Sequence, residues 1–242
     1  ELFSKKVELD KRSKCVFEFP ECDEQMLSFE IKTLSETMVY SGYYEGEFDE
    51  SNTREIELAI STTTCWKEEY IKRNVQLLDD VLLQSDTELA DHLSIHIVDN
   101  GRTLQESDFS KDRRIHFHPN KNVGGSGGFA RGMIEALHQT PKATHVLLID
   151  DDVLIIPDSI YRMYMLLKTL KEEYKEYFIS GAMLILEEMN IQHEDIGTVK
   201  SDGTFIPLKP RFNHQELRDN LLNEKEYRAK NQYQAWWYCC IP

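Results

Sequence analysis

The 242-residue sequence has no C-x-x-C pair, no long apolar run, and too few basic residues to balance its acids. Each shortage excludes something. Cys15, Cys22, Cys65, Cys239 and Cys240 are odd in number and spaced for neither a zinc site nor a disulfide framework, so they are read as reduced thiols. Without a stretch of about 18 apolar residues no helix is expected to span a membrane, and no signal peptide is visible. Lys and Arg total 28 against 43 Asp and Glu, a net charge of −15. That is the wrong sign for a nucleic-acid partner, whose phosphates attract cations. An anionic ligand would need a local cation, a metal or helix amides. The composition points to a cytoplasmic protein, with peripheral attachment to the inner face of a membrane left open.

Hydrophobic residues make up 40% of the chain, enough for a folded core. From Lys14 to about Gly46 the segments KCVFEF and MLSFEIKTL alternate apolar and polar residues, and VYSGYYEG is aromatic, so this part reads as strands. EFDESNTRE (Glu47 to Glu55) is polar and turn-forming, and the expected boundary falls there, with one unit at 1–52 and a second at 53–242. In the second unit ELAIST, LSIHIVDNG, RIHFH and HVLLI read as strands. Ile71, Val75, Leu78 and Leu82 mark one amphipathic helix, and Phe129, Met133 and Leu137 another. A further helix is expected over IYRMYMLLKTLKEEY and a strand at FISGAMLI. Strand and helix alternate as in an α/β sheet covered on both faces. Ligands of such sheets gather beyond the carboxyl ends of the strands. Thr62 to Lys67, Asp99 with Asn100, Asn122 to Gly128, and Asp150 to Asp152 all fall there.

In LLIDDDV, an extended reading puts Asp150 and Asp152 on one side and Asp151 on the other. Two carboxylates side by side suit a hard divalent ion that shares phosphate oxygens. A solvated turn or helix cap explains a lone D-x-D more often than not, but three acids directly after HVLLI, on the rim of the glycine loop, favour the metal. NVGGSGGFARGM is not a Walker loop. Its GSGGFA satisfies the loose dinucleotide pattern, with Asp150 twenty residues beyond Ala130, so an NAD(P)-dependent Rossmann-type oxidoreductase or binding module is a competing reading. Against it, the preceding RIHFHPNKN is polar and follows two earlier strands. A flexible glycine-rich loop lets backbone and a helix N-terminus approach a ligand closely. Asp99 could accept from a uracil N–H or a ribose hydroxyl, and Thr63 and Lys67 could hold a nucleotide. Trp236 and Trp237 read as core or as a sugar-stacking face. His193, Glu194 and Asp195 in QHEDIG read as a loop.

Taken together, TTTCWKEEYI, IVDNG, NVGGSGGFARGM, LLIDDDV, SGAM and WWYCCIP resemble, over about residues 55 to 242, the nucleotide-sugar glycosyltransferases of the GT-A fold. In particular they are similar to the bacterial family 2 galactofuranosyltransferases that extend galactan with UDP-galactofuranose. The resemblance implies a GT-A domain at 53–242, preceded at 1–52 by the end of a β-sandwich domain. It implies an inverting, metal-dependent transferase acting on a UDP-sugar and a glycan or lipid-linked glycan acceptor, in cell-wall or surface polysaccharide synthesis, with homo-oligomers left open. Asp150 and Asp152 would bind Mn2+ or Mg2+, and Asp151 would belong to the nucleotide-sugar-binding set. Thr63, Lys67, Asp99, Asn100, Asn122, Gly124, Gly125, Gly127 and Gly128 would lie along the donor, and Trp236 and Trp237 would form the acceptor and sugar platform. The family usually has an arginine near Lys67. Its catalytic base, an aspartate, and a histidine metal ligand lie after the Trp pair and are expected downstream of Pro242. The chain is therefore read as an excised piece, incomplete at its C-terminal side and inactive or nearly so. A non-catalytic sugar-binding protein of the same fold is a third reading.

Overall fold

The computed structural model describes residues 3–19, 21, 27, 29–209, 211–223 and 232–242. Of the described residues before Glu50, none is in a strand, although strands were expected there. Met26 and Ser28 of MLSFEIKTL lie outside the described residues. Phe17, Ile31 and Tyr44 are all exposed. Alternation encodes an apolar face, but a strand exists only through ladder bonds to a neighbour, and none of the described residues here forms one. The expected boundary is a short 3-10 turn, Glu50–Asn52, opened by Asp49, whose carboxylate accepts from the Ser51 amide at 3.0 Å.

Beyond Ile56 the alternating elements appear in the expected order. They are β1 (Leu58–Thr64), α1 (Glu68–Leu78), α2 (Glu88–Asp91), β2 (Leu93–Asp99), β3 (Ile115–Pro119), α3 (Gly124–His138), β4 (His145–Asp150) and α4 (Pro157–Thr169). Then come β5 (Ile179–Ser180), β6 (Met183–Ile185), β7 (Glu188–Glu194), β8 (Ile196–Val199), β9 (Phe205–Pro207), β10 (Phe212–Asn213), α5 (Leu217–Asn223), β11 (Gln232–Gln234) and β12 (Cys239–Ile241). FISGAMLI is thus two strands broken at Gly181. QHEDIG is not a loop: it spans β7 and β8, which pair antiparallel with β6, β10, β9 and β11. Its charges hid the ladder, and Asp195 pairs with Lys209 at 3.0 Å.

The main sheet has the order β3-β2-β1-β4-β12-β5. Its first four strands are parallel, and β12 runs antiparallel to β4 and β5. This is the expected α/β class, with a parallel-dominated Rossmann-like sheet. Strand alternation divides the core in two. Leu58, Ile60, Ile95, Ile97, Leu147 and Ile149 pack under Ile71, Val75 and Leu78 of α1 and Ile160, Met163 and Tyr164 of α4. Ala59, Val146 and Leu148 face the other way, onto Phe129 and Ala136 of α3. Both faces are covered, as the runs of buried strand residues require.

The glycine segment differs from expectation: it is no flexible loop but the first turns of α3. A β-carbon at Gly128 would stand 2.1 Å from Thr63 Cγ2, and one at Gly132 would stand 1.9 Å from Ser61 Oγ. Helical glycine costs about 1 kcal/mol relative to alanine. Here that cost is offset because two glycines four apart let the helix lie directly on β1.

Candidate functional site

The chain leaves β1 toward β2 and β3 on one side and returns to β4 on the other. The β1–β4 boundary is therefore the point where strand order reverses, and in such a sheet a ligand crevice is expected beyond the carboxyl ends there. Thr63 pairs with Asp150 across that boundary, and Thr64 pairs with Asp99. Because β12 is antiparallel, its leading turn, with Trp236 and Trp237, comes to the same rim. The far end of β12 points away from that rim, and Pro242, which follows it, is exposed. The residues expected after separate strands are thus brought to one edge.

Asp150 ends β4, but Asp151 and Asp152 lie in a turn and not in an extended segment. The cause is Asn74, a buried residue of α1. Its Nδ2 donates to the carbonyls of Asp151 and Val153, each at 2.9 Å, folding the chain back just past the strand. Arg73 holds the other end of that amide, donating to Oδ1 at 3.1 and 3.2 Å. Asn74 was missed by sequence reasoning. Its signal was a polar residue at helical spacing from Ile71 and Leu78, on the apolar stripe.

The three acids differ in surroundings. Asp151 is buried, Asp150 half-buried and Asp152 exposed. Burial, then the Asp152 and Asp151 charges, raise the pKa of Asp150 above its ordinary value. Burial also raises Asp151, against the Thr64 hydroxyl and Lys67. Lys67, at the start of α1, reaches across the crevice to hydrogen-bond Asp152, with Asp151 at 3.9 Å. That bond raises its own pKa. Among the described residues no three His, Cys, Asp or Glu side chains are grouped to hold a metal ion.

Asp99 departs from its expected role. Its carboxylate is fully buried and accepts four backbone N–H bonds, from Gly101 and Arg102 on Oδ1 and from Thr103 and Leu104 on Oδ2, at 2.9–3.0 Å. A carboxylate offers about four lone-pair sites, so none is left for a nucleoside; Asp99 shapes the loop instead. That loop seats Trp66, a 73% exposed ring with φ of 60°, and a β-carbon on Gly101 would lie 3.1 Å from it. Asn100 braces the rim: Nδ2 donates to the Gly124 carbonyl at 3.0 Å and Oδ1 accepts from Asn120 at 2.8 Å. Asn122 Oδ1 accepts from the Gly124 amide at 3.1 Å. Gly124 itself has φ of 77°, in the left-handed region that glycine enters without steric cost. Gly125 has open space around it, and Gly127 is crowded only by the Val123 side chain. Trp236 is 36% exposed and stands edge-on to Phe129 at 5.5 Å, while Trp237 Nε1 donates to the Gly181 carbonyl at 3.1 Å.

The dinucleotide reading fits this topology poorly. Its glycine turn would follow the central strand and its ribose acid would end the neighbouring one. Here the glycines follow β3, and Asp150 ends β4, three strand positions away, or about 14 Å.

No protein-family model matches the chain. It is 32% identical over 139 residues to galactofuranosyltransferase GlfT2 of Mycolicibacterium smegmatis, covering 53% of this chain and 21% of that protein. The figures are the same for galactofuranosyltransferase GlfT2 of Mycobacterium tuberculosis. This chain is similar to the GlfT2 galactofuranosyltransferases. It spans about a fifth of the length of these relatives. Among solved structures, the mannosyltransferase PcManGT from Pyrobaculum calidifontis, in complex with GDP-Man and Mn2+, shares 16% identity and a TM-score of 0.31. That match covers 45% of this chain and 31% of that one. Among the described residues no helix is long and apolar enough to cross a membrane.

Proposed function

We propose that the chain is the donor-binding part of an inverting glycosyltransferase that moves a sugar, galactofuranose in the simplest case, from a UDP-sugar to a glycan acceptor. The observation that carries this is the acidic turn at the strand-order reversal, opposite Lys67 and beside the start of α3. The similarity to the GlfT2 galactofuranosyltransferases supports the sugar, and the UDP carrier is part of the proposal. The division at residues 52 and 53 and the GT-A assignment belong to the same proposal.

The donor set fits a hard divalent ion, Mn2+ or Mg2+. The Asp152 charge lies close enough to Asp150 to raise the proton affinity of Asp150, and a cationic side chain is already drawn to Asp152. Two protein carboxylates leave room for ligand oxygens. Such an ion, when bound, offsets charge on the departing diphosphate. The chain's own residues do the rest. Lys67 supplies a point charge to a phosphate oxygen. The Gly124 amide is taken by Asn122, but the amides after it in the first turn of α3 lack helical partners and carry the positive end of its dipole, so they suit the same anion. Asn100, Asn122 and Asp99 fix the loops that present those amides. Trp236 offers a face to the sugar or acceptor, and Trp237 anchors that turn. We assign no residue up to Pro242 as the acceptor's general base; in this reading that group is supplied from outside these 242 residues.

Calorimetric titration with a panel of UDP-sugars and with NAD tests this reading. Binding of UDP-hexoses and none of NAD is expected. Tight, metal-free NAD binding would overturn it in favour of an oxidoreductase.

A further inference from the structure

Lys67 spans the crevice in a way that a simple phosphate ligand does not require. Its carbonyl caps α1, accepting from the Tyr70 and Ile71 amides at 3.1 Å each. Its side chain crosses to residues 84 and 85 positions away in sequence, touching Asp151 and Asp152. The ammonium thus stands among the carboxylates that would take the metal. Two of the three acids are half or fully buried, so the cluster is costly to leave without a cation. The Lys67 side chain is 44% exposed on a flexible stem, so it can swing away at little cost.

We propose that Lys67 is a displaceable counter-ion: it neutralises the acidic turn when the crevice is empty, and is transferred to the diphosphate as the divalent ion enters. This rests on the metal-dependent reading above and goes beyond it. Ammonium and metal repel each other and compete for Asp152, so metal alone meets an occupied site. The diphosphate gives Lys67 a new partner and frees the carboxylate. Metal and nucleotide therefore bind with positive coupling, which linkage makes equal in both directions.

The test uses Mn2+ binding followed by electron paramagnetic resonance of the free ion, with and without UDP, on the wild type, Lys67→Met and Lys67→Arg. Lys67→Met should bind Mn2+ alone more tightly, by about fivefold, the equilibrium equivalent of an exposed ion pair. It should bind UDP with Mn2+ more weakly, so the coupling collapses. Lys67→Arg should retain the coupling. A purely structural lysine would not move the two affinities in opposite directions. Unchanged or weaker binding of Mn2+ alone to Lys67→Met, with normal binding of Mn2+ and UDP to the wild type, overturns the displacement but spares the metal reading. No Mn2+ binding to the wild type with UDP present overturns both.

Discussion

Replacing Asn74 by alanine would test how the acidic turn is made. The side chain is buried, and its two Nδ2 hydrogen bonds, each 2.9 Å, satisfy one buried and one half-buried carbonyl. Each bond contributes about 1 kcal/mol net, and a buried carbonyl left unpaired adds about 1–3 kcal/mol. The half-buried Val153 carbonyl can recover water, so the sum is about 3 kcal/mol. For a domain of this size that lowers Tm by roughly 6–12 °C. Urea denaturation followed by far-UV circular dichroism gives the difference directly. Asn74→Asp is the control, because it keeps an acceptor for Arg73 but removes both donors. It should be at least as damaging as alanine. A loss under about 0.5 kcal/mol in Asn74→Ala, or an Asn74→Asp variant as stable as the wild type, would refute the reasoning.

Gly132→Ala should destabilise by about 1–3 kcal/mol, since its β-carbon collides with Ser61 Oγ. The Ser61 hydroxyl is buried and has no hydrogen-bond partner among the described residues, so Ser61→Ala should be harmless alone and recover part of that loss in a double-mutant cycle. The pKa of His96 is held down to about 4, chiefly by burial and further by the His116 and His118 charges, against the Gln139 hydrogen bond and Glu135, which raise it. Its folded pKa lies below the unfolded value, so the unfolded chain binds more protons between pH 6.5 and 4, and stability falls as pH drops through that window. The whole contribution is roughly 3 kcal/mol, and His96→Asn should flatten the acid limb of a stability profile. Asp150 has the opposite sign, its pKa being raised by burial and like charges. Asp150→Asn should therefore stabilise the ligand-free protein at pH 7 in thermal melts while abolishing metal binding.

The apolar runs ELAIST, LSIHIVDNG and HVLLI revealed the buried strands, because a strand covered on both faces leaves an unbroken hydrophobic record. Their ends located the rim. What the residues could not reveal was partnership. GGSGGFARGM reads alike as a loop or as a helix pressed on β1, and only Thr63 and Ser61 across the contact decide between them. Asp99 looks like a ligand-binding acid until four amides of its own loop claim it. The alternation in KCVFEF needs a neighbouring strand that no local pattern can supply. Asn74 acts on a turn 77 residues away, which no window of sequence covers.

The central claim is that Asp150 and Asp152 hold a divalent ion against a nucleotide diphosphate. Titrating UDP into the protein with and without Mn2+, for the wild type and Asp152→Ala, tests it most directly. The account predicts binding that requires Mn2+ and disappears in the variant. Equal UDP affinity in chelator and in Mn2+, unaffected by Asp152→Ala, would contradict it.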